Sequence, residues 1–320
     1  MVRNEVFHND INSEKLVRLI KDGHLIVFVG SGLSSINELY PSWWKLVNKL
    51  CNACNVQSEA EINDQTSPKD LQKLAGQARN SDENAYAQTL EQEFAKTVTD
   101  MPRSYQLLIR APFKSFVTIN FDPLLAIESH QFFKDKNFLI HAFPQFDYKA
   151  LNQGGIFYLH GYIPQDGPVD MSKIVLTEDD FNTAYNNEKG NLCLIWQILL
   201  RYHPILFIGC RLGEPELDII FSISNSARSA LSQHDDIKPK PRFILLEKEA
   251  YKYSEISPDE QLRRNKEKEE EENKKYREMD IVVVRYDSKD KAHSGLIKIL
   301  EEWTQIGKPI IYKEEVLDYI

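Results

Sequence analysis

Short apolar runs rich in β-branched and aromatic residues recur along this chain at 24–30, 115–119, 155–160, 204–209, 242–247 and 281–286. Runs of that length, bounded by turn residues, predict buried strands. Between them apolar residues repeat at helical spacing over 42–54, 84–97, 103–110, 123–133, 190–201, 216–231 and 291–304. Strands alternating with helices predict an α/β fold, because parallel strands need crossovers and the crossovers cover both faces of the sheet. A mostly parallel sheet with helices on both faces is therefore expected. One interval breaks the alternation: 57–110 is mostly helical and polar, with its loop at 58–67. It reads as a helical insertion, leaving 1–56 and 111–320 as the sheet domain. No internal repeat is present.

Residues 258–279 alternate in charge sign. That pattern describes a solvated helix laced with i,i+4 pairs, and an interaction surface is the other reading it allows.

Composition narrows the class. The 320 residues are 42% hydrophobic and 27% charged, as in a globular protein with a full core. A net charge of −9 argues against direct nucleic-acid binding, which calls for a basic surplus. The first residues contain no apolar stretch of leader length, and no run approaches a bilayer span. A cytoplasmic protein with no membrane contact is expected. Cys51 and Cys54 form a lone C-x-x-C near a helix end, while Cys193 and Cys210 lie in apolar segments of their own. Without a second pair to complete four ligands, no zinc is expected and all four read as core or ordinary helix residues.

Three strand ends carry the candidate chemistry. Gly30-Ser31-Gly32-Leu33-Ser34 follows the first run and opens a helix. Glycines admit a pyrophosphate close to the backbone, and helix-start N–H groups favour an anion. Ser35 stands where a third glycine would complete a dinucleotide fingerprint, so an ordinary tight βα turn is the competing reading. Asn120 and Asp122 end the second run, with Asp122 before Pro123 as a helix-start signal. That accounts for part of Asp122 and leaves Asn120, whose amide suits a ribose hydroxyl and an attacking water. His160-Gly161 ends the third run, and an ordinary imidazole titrates in the range useful to a general base. A fourth run ends in Gly209-Cys210-Arg211-Leu212-Gly213-Glu214. In a parallel sheet such ends converge on one edge.

In this order the segments resemble the sirtuin-like (SIR2-like) family, and within it the bacterial anti-phage NADase branch. The Gly-x-Gly-x-Ser turn at 30–34, Asn120-Phe121-Asp122 and His160-Gly161 carry the family resemblance. Tyr40-Pro41-Ser42-Trp43, Thr118 to Asp122, and Val175 to Phe181 carry the resemblance to the branch. It runs from about residue 20 to 225 and thinly to the strand at 281–286. The fourth segment departs from the relatives' pattern at Arg211 and Glu214, and the four-cysteine zinc module of protein deacetylases is absent.

The resemblance implies a Rossmann-like sheet and an enzyme that cleaves NAD+ to nicotinamide and ADP-ribose as a defence effector. Asn120 and His160 would be catalytic, with Asp122 orienting the ribose or its loop. Gly30, Ser31, Gly32 and Ser34 would hold the pyrophosphate, with Gly209 and Arg211 toward the adenosine half. It also implies a homo-oligomer and a separate partner, such as a HerA-type ATPase or a short Argonaute-like protein. An NAD-dependent protein deacylase and a non-catalytic module sensing NAD or ADP-ribose are the alternatives.

Overall fold

The structure, a computed structural model, describes residues 11–35, 39–134, 139–146, 151, 154–186, 192–212, 221, 224–225, 240–248, 257–287 and 293–309. The strands are β1 (Ile26–Val29), β2 (Ser115–Thr118), β3 (Ile140–Ala142), β4 (Ile156–Tyr158), β5 (Ile205–Ile208), β6 (Arg242–Glu247) and β7 (Val282–Tyr286). They form a seven-stranded sheet in the order β3-β4-β2-β1-β5-β6-β7, every pairing parallel. The α/β architecture read from the pattern is thus the observed one. Ile26 pairs with Ser115 on one side and with Ile205 on the other, which puts the ends of β1, β2 and β5 level.

Alternate side chains of each strand enter different cores, as the two-residue strand repeat requires. Val27, Val29, Leu206 and Ile208 join one core. It is built with α1 (Ile11–Lys21), α3 (Trp43–Ala53), α4 (Pro68–Ser81), α5 (Glu83–Phe94), α6 (Arg103–Arg110), α7 (Leu124–Phe133) and α11 (Ser294–Ile306). A four-residue turn of helix, α2 (Ser31–Ser34), precedes α3. Ile26, Phe28, Ile205 and Phe207 join the other core with α8 (Glu178–Asn186), α9 (Leu192–Tyr202) and α10 (Pro258–Glu278). There Phe28 packs on Trp196 with ring centroids 5.2 Å apart.

The segment 57–110 folds as helices, and Leu71, Ala75, Tyr86 and Leu90 belong to the same core as Val27 and Val29. Its packing is continuous with the sheet's rather than separate. The charged stretch is α10, whose Arg263 and Arg264 pair with Glu260 one turn earlier while Tyr276 is buried. Three elements were not expected as such: the helix α1, the half-exposed edge strand β3 and the short helix α8. The expected helix at 216–231 lies largely outside the described residues.

Candidate active site

Because β1, β2 and β4 are parallel, their carboxyl ends emerge side by side and their polar turns meet. Ser31 and Ser34 after β1, Asn120 and Asp122 after β2, and His160 after β4 line one cleft with about 630 Å³ of empty volume. Tyr40, Trp43, Phe94, Phe121, Val175 and Phe181 supply apolar walls.

Ser34 is the hub of the floor. Its hydroxyl donates to Asp122 Oδ2 at 2.6 Å. With that proton committed, the oxygen accepts from Asn120 Nδ2 at 3.0 Å and from the Tyr105 hydroxyl at 2.7 Å. The same logic fixes the Asn120 amide, since Nδ2 must face Ser34 and Oδ1 is turned away. Thr118 sets the backbone beneath: its hydroxyl donates to Val29 O at 2.7 Å and accepts from Asn120 N at 3.0 Å. Asp122 Oδ1 accepts from Leu124 N at 3.2 Å, so the helix-start role is real and occupies one carboxylate oxygen. Burial pushes the Asp122 carboxyl up to about 6, with the Ser34, Leu124 and Asn120 hydrogen bonds pulling back.

His160 is 4% exposed, and its Nε2 lies 2.9 Å from the Tyr185 hydroxyl. Trp196 Nε1 donates to that hydroxyl at 3.3 Å, and Phe181 presses edge-on against the imidazole at 5.0 Å. Burial lowers the imidazole to about 3, so the ring is neutral at pH 7. The unperturbed titration range expected of this histidine does not apply, because the site removes the water that would solvate its cation. Gly161 has φ +81°, and a Cβ there would overlap Lys173 O. Only glycine lets the 173–175 segment close in, so that Val175 N reaches His160 O at 3.0 Å.

The glycine turn also makes a packing contact that its pattern does not announce. Gly30 N donates to Ile208 O and Gly32 N to Gly209 O, both at 2.8 Å. A Cβ on Gly32 would stand 2.6 Å from Gly209 O. The two glycines therefore let the β1 turn close onto the β5 turn, filling with backbone the switch point where strand order reverses. Those two amides and the Ser34 hydroxyl are engaged, and Ser31 is exposed and lines the cleft. Gly209, at φ +67°, and Arg211 do not line the cleft. Arg211 is exposed, and its carbonyl accepts from the Tyr276 hydroxyl at 3.0 Å.

Several site residues were not singled out from sequence. Tyr105 and Phe94 come from the helical segment 57–110, and Tyr185 from α8. Tyr40 and Trp43 were quoted only for the resemblance, yet both line the cleft. Tyr40 Oη, Trp43 Nε1 and Asn120 Oδ1 are each buried without a protein hydrogen-bond partner. An unpaired buried polar atom costs roughly 1–3 kcal/mol. All three belong to residues that line the cleft.

Cys51 and Cys54 are buried and their thiols donate to the carbonyls of Leu74 and Asp82. Among the described residues, no three His, Cys, Asp or Glu side chains gather as a metal site would need. Also among the described residues, no helix is long and apolar enough to cross a membrane.

No curated protein matches the chain. Residues 114–277 match the SIR2-like domain, a span that holds Asn120, Asp122, His160 and Tyr185 and ends within α10. With its parallel α/β sheet and a cleft at the carboxyl ends of β1, β2 and β4, the chain belongs to the SIR2-like domain family.

Proposed function

We propose that the chain is an NAD+ glycohydrolase, releasing nicotinamide and ADP-ribose, and that it depletes cellular NAD+ as an anti-phage effector. Family membership supports use of NAD+. The observation that carries the reading further is Asn120 Oδ1, an acceptor without a partner in a cleft shared with a neutral imidazole and a buried carboxylate.

The chemistry asked of these groups is modest. The bond from ribose C1′ to the nicotinamide ring nitrogen breaks, its electron pair neutralising the ring's positive charge. Water oxygen then bonds to C1′ and one proton is released. Asn120 Oδ1 would accept a hydrogen bond from that water or from a ribose hydroxyl. Neutral His160, with Nε2–H donating to the Tyr185 hydroxyl, would accept from the other at Nδ1. The Asp122 carboxylate, ionised above about pH 6, would stabilise positive charge developing on the ribose. Ser31 would meet the pyrophosphate, and the adenosine half would have to extend beyond the cleft to reach Gly209 and Arg211.

Incubating the purified chain with NAD+, with and without an acetylated peptide, tests this directly. Nicotinamide and ADP-ribose from NAD+ alone are expected. Nicotinamide only with the peptide would make the chain a deacylase, and binding without turnover a sensor. We further propose a cytoplasmic homo-oligomer controlled by a separate chain of the HerA-type ATPase or short Argonaute-like kind. Support comes from the resemblance at Tyr40–Trp43 and Thr118–Asp122, and from the hazard of unrestrained NAD+ hydrolysis. Light scattering across concentration, paired with turnover, tests the assembly.

A further inference from the structure

We propose that Arg79, on α4, is a positioning residue for His160, acting through Asp180 and the helix α8. The inference rests on the reading of His160 as part of the reacting site.

Asp180 sits in the first turn of α8 and uses both carboxylate oxygens. Oδ2 accepts from Leu176 N at 3.2 Å and Thr177 N at 3.0 Å. The Thr177 hydroxyl in turn accepts from Asp180 N at 3.2 Å, completing a reciprocal cap that fixes where α8 begins. Oδ1 accepts from Arg79 Nη1 at 2.8 Å. The pair is partly buried, with side-chain exposures of 27% and 18%, so solvent screens it less than an open surface pair.

Three contacts to His160 come from within or beside the stretch so fixed. The Val175 amide bonds the histidine carbonyl, Phe181 packs edge-on against its ring, and Tyr185 meets its Nε2. The two partners come from different layers. Around α4, Leu71 and Ala75 are buried in the core on one face of the sheet; around α8, Phe181 and Ala184 are buried in the core on the other. The Arg79–Asp180 pair therefore spans the carboxyl edge of the sheet, over which the imidazole sits. A rotation of α8 that broke this pair would carry the Tyr185 hydroxyl and the Phe181 ring with it. The helical segment 57–110 thereby sets the orientation of a ring that belongs to the sheet.

Arg79→Met keeps the aliphatic stem and removes the charge, and Arg79→Lys restores a charge. Two readouts on the full chain separate positioning from mere support. The first is kcat and KM for NAD+. The second is the His160 ring-nitrogen NMR resonance, assigned by its loss in His160→Gln. In Arg79→Met, kcat should fall about 10- to 10²-fold with KM little changed, the cost of small misplacement of a reacting group. The His160 resonance should shift, and Arg79→Lys should recover most of both. A folded Arg79→Met with unchanged resonance and kcat overturns the proposal. So does a loss of kcat that tracks melting temperature and is not rescued by lysine. If Arg79→Met does not fold, Asp180→Asn, which keeps the amide acceptor for the cap, takes its place with the same criteria. If the unaltered chain releases no nicotinamide, the hydrolase reading fails and the His160 resonance alone decides the positioning role.

Discussion

Ser34 donates a 2.6 Å hydrogen bond to Asp122 across 88 positions of sequence, joining the turn after β1 to the turn after β2. Its hydroxyl also receives Asn120 and Tyr105, so one small side chain satisfies three buried groups. Ser34→Ala should cost roughly 1–3 kcal/mol by leaving these partners unsatisfied. Denaturant unfolding measures it. A variant as stable as the unaltered chain would show that the network rearranges around the loss.

The Asp122 carboxyl, raised by burial to about 6, should appear in the pH dependence of turnover. If its ionised form is required, kcat/KM falls as pH drops through about 6 and is level above it. Ser34→Ala should move that limb to higher pH, because a donor to the carboxylate is lost. Asp122→Asn should abolish the limb along with most activity. An acid limb that survives in Asp122→Asn with appreciable turnover would remove this carboxylate from the reaction.

His160 predicts a pH effect on stability instead. Folded, the ring takes a proton only near pH 3, whereas in the unfolded chain it does so near 6.5. Between those values the unfolded state binds more protons, so stability falls as pH decreases, by up to about 1.4 kcal/mol per pH unit. Asp122 works the other way from about 6 to 3.8, where the folded state gains the proton. His160→Gln should flatten the acid loss of stability below pH 6.5, and Asp122→Asn should steepen it. Urea unfolding at a series of pH values reads both slopes. Identical slopes in all three chains would mean that neither group is as dehydrated as its surroundings indicate. For turnover, His160→Ala should cost ~10²–10⁴ in rate.

Asn120→Ala should lose most turnover and retain NAD+ binding, because Ser31 and the apolar walls are untouched. Calorimetric titration of the inactive variant measures the affinity. Affinity and turnover collapsing together would make Asn120 a binding residue, with no part in placing water.

The central strands were legible because each is buried on both faces and so is an unbroken apolar run. Ile26–Val29 and Ile205–Ile208 are examples. Ile140-His141-Ala142 is a half-exposed edge, and nothing in its pattern separates it from a loop. Asn120, Asp122, Ser34 and His160 were legible as neighbours because parallel strands end together. Their chemistry was less so: neither the carboxyl near 6 nor the imidazole near 3 follows from residue type, since both come from burial that the fold supplies. Tyr185, Phe94 and Tyr105 lie on helices whose placement over the strand ends is tertiary. For Phe94 and Tyr105, the polar helical reading of 57–110 contained no hint of contact with the site.

The matched family span begins at residue 114, yet β1, the strand between β2 and β5, lies before it, as do Ser31, Ser34, Phe94 and Tyr105. The sheet and the cleft therefore extend beyond the span that names the family. A fragment cut at 114 would hold Asn120, Asp122 and His160 while lacking the central strand and one wall of the chamber. Its two half-sheets would have no strand to register against, and its reacting groups would open onto bulk water. Trimming for expression, or grafting the site onto another scaffold, must keep β1 and the segment that carries Phe94 and Tyr105.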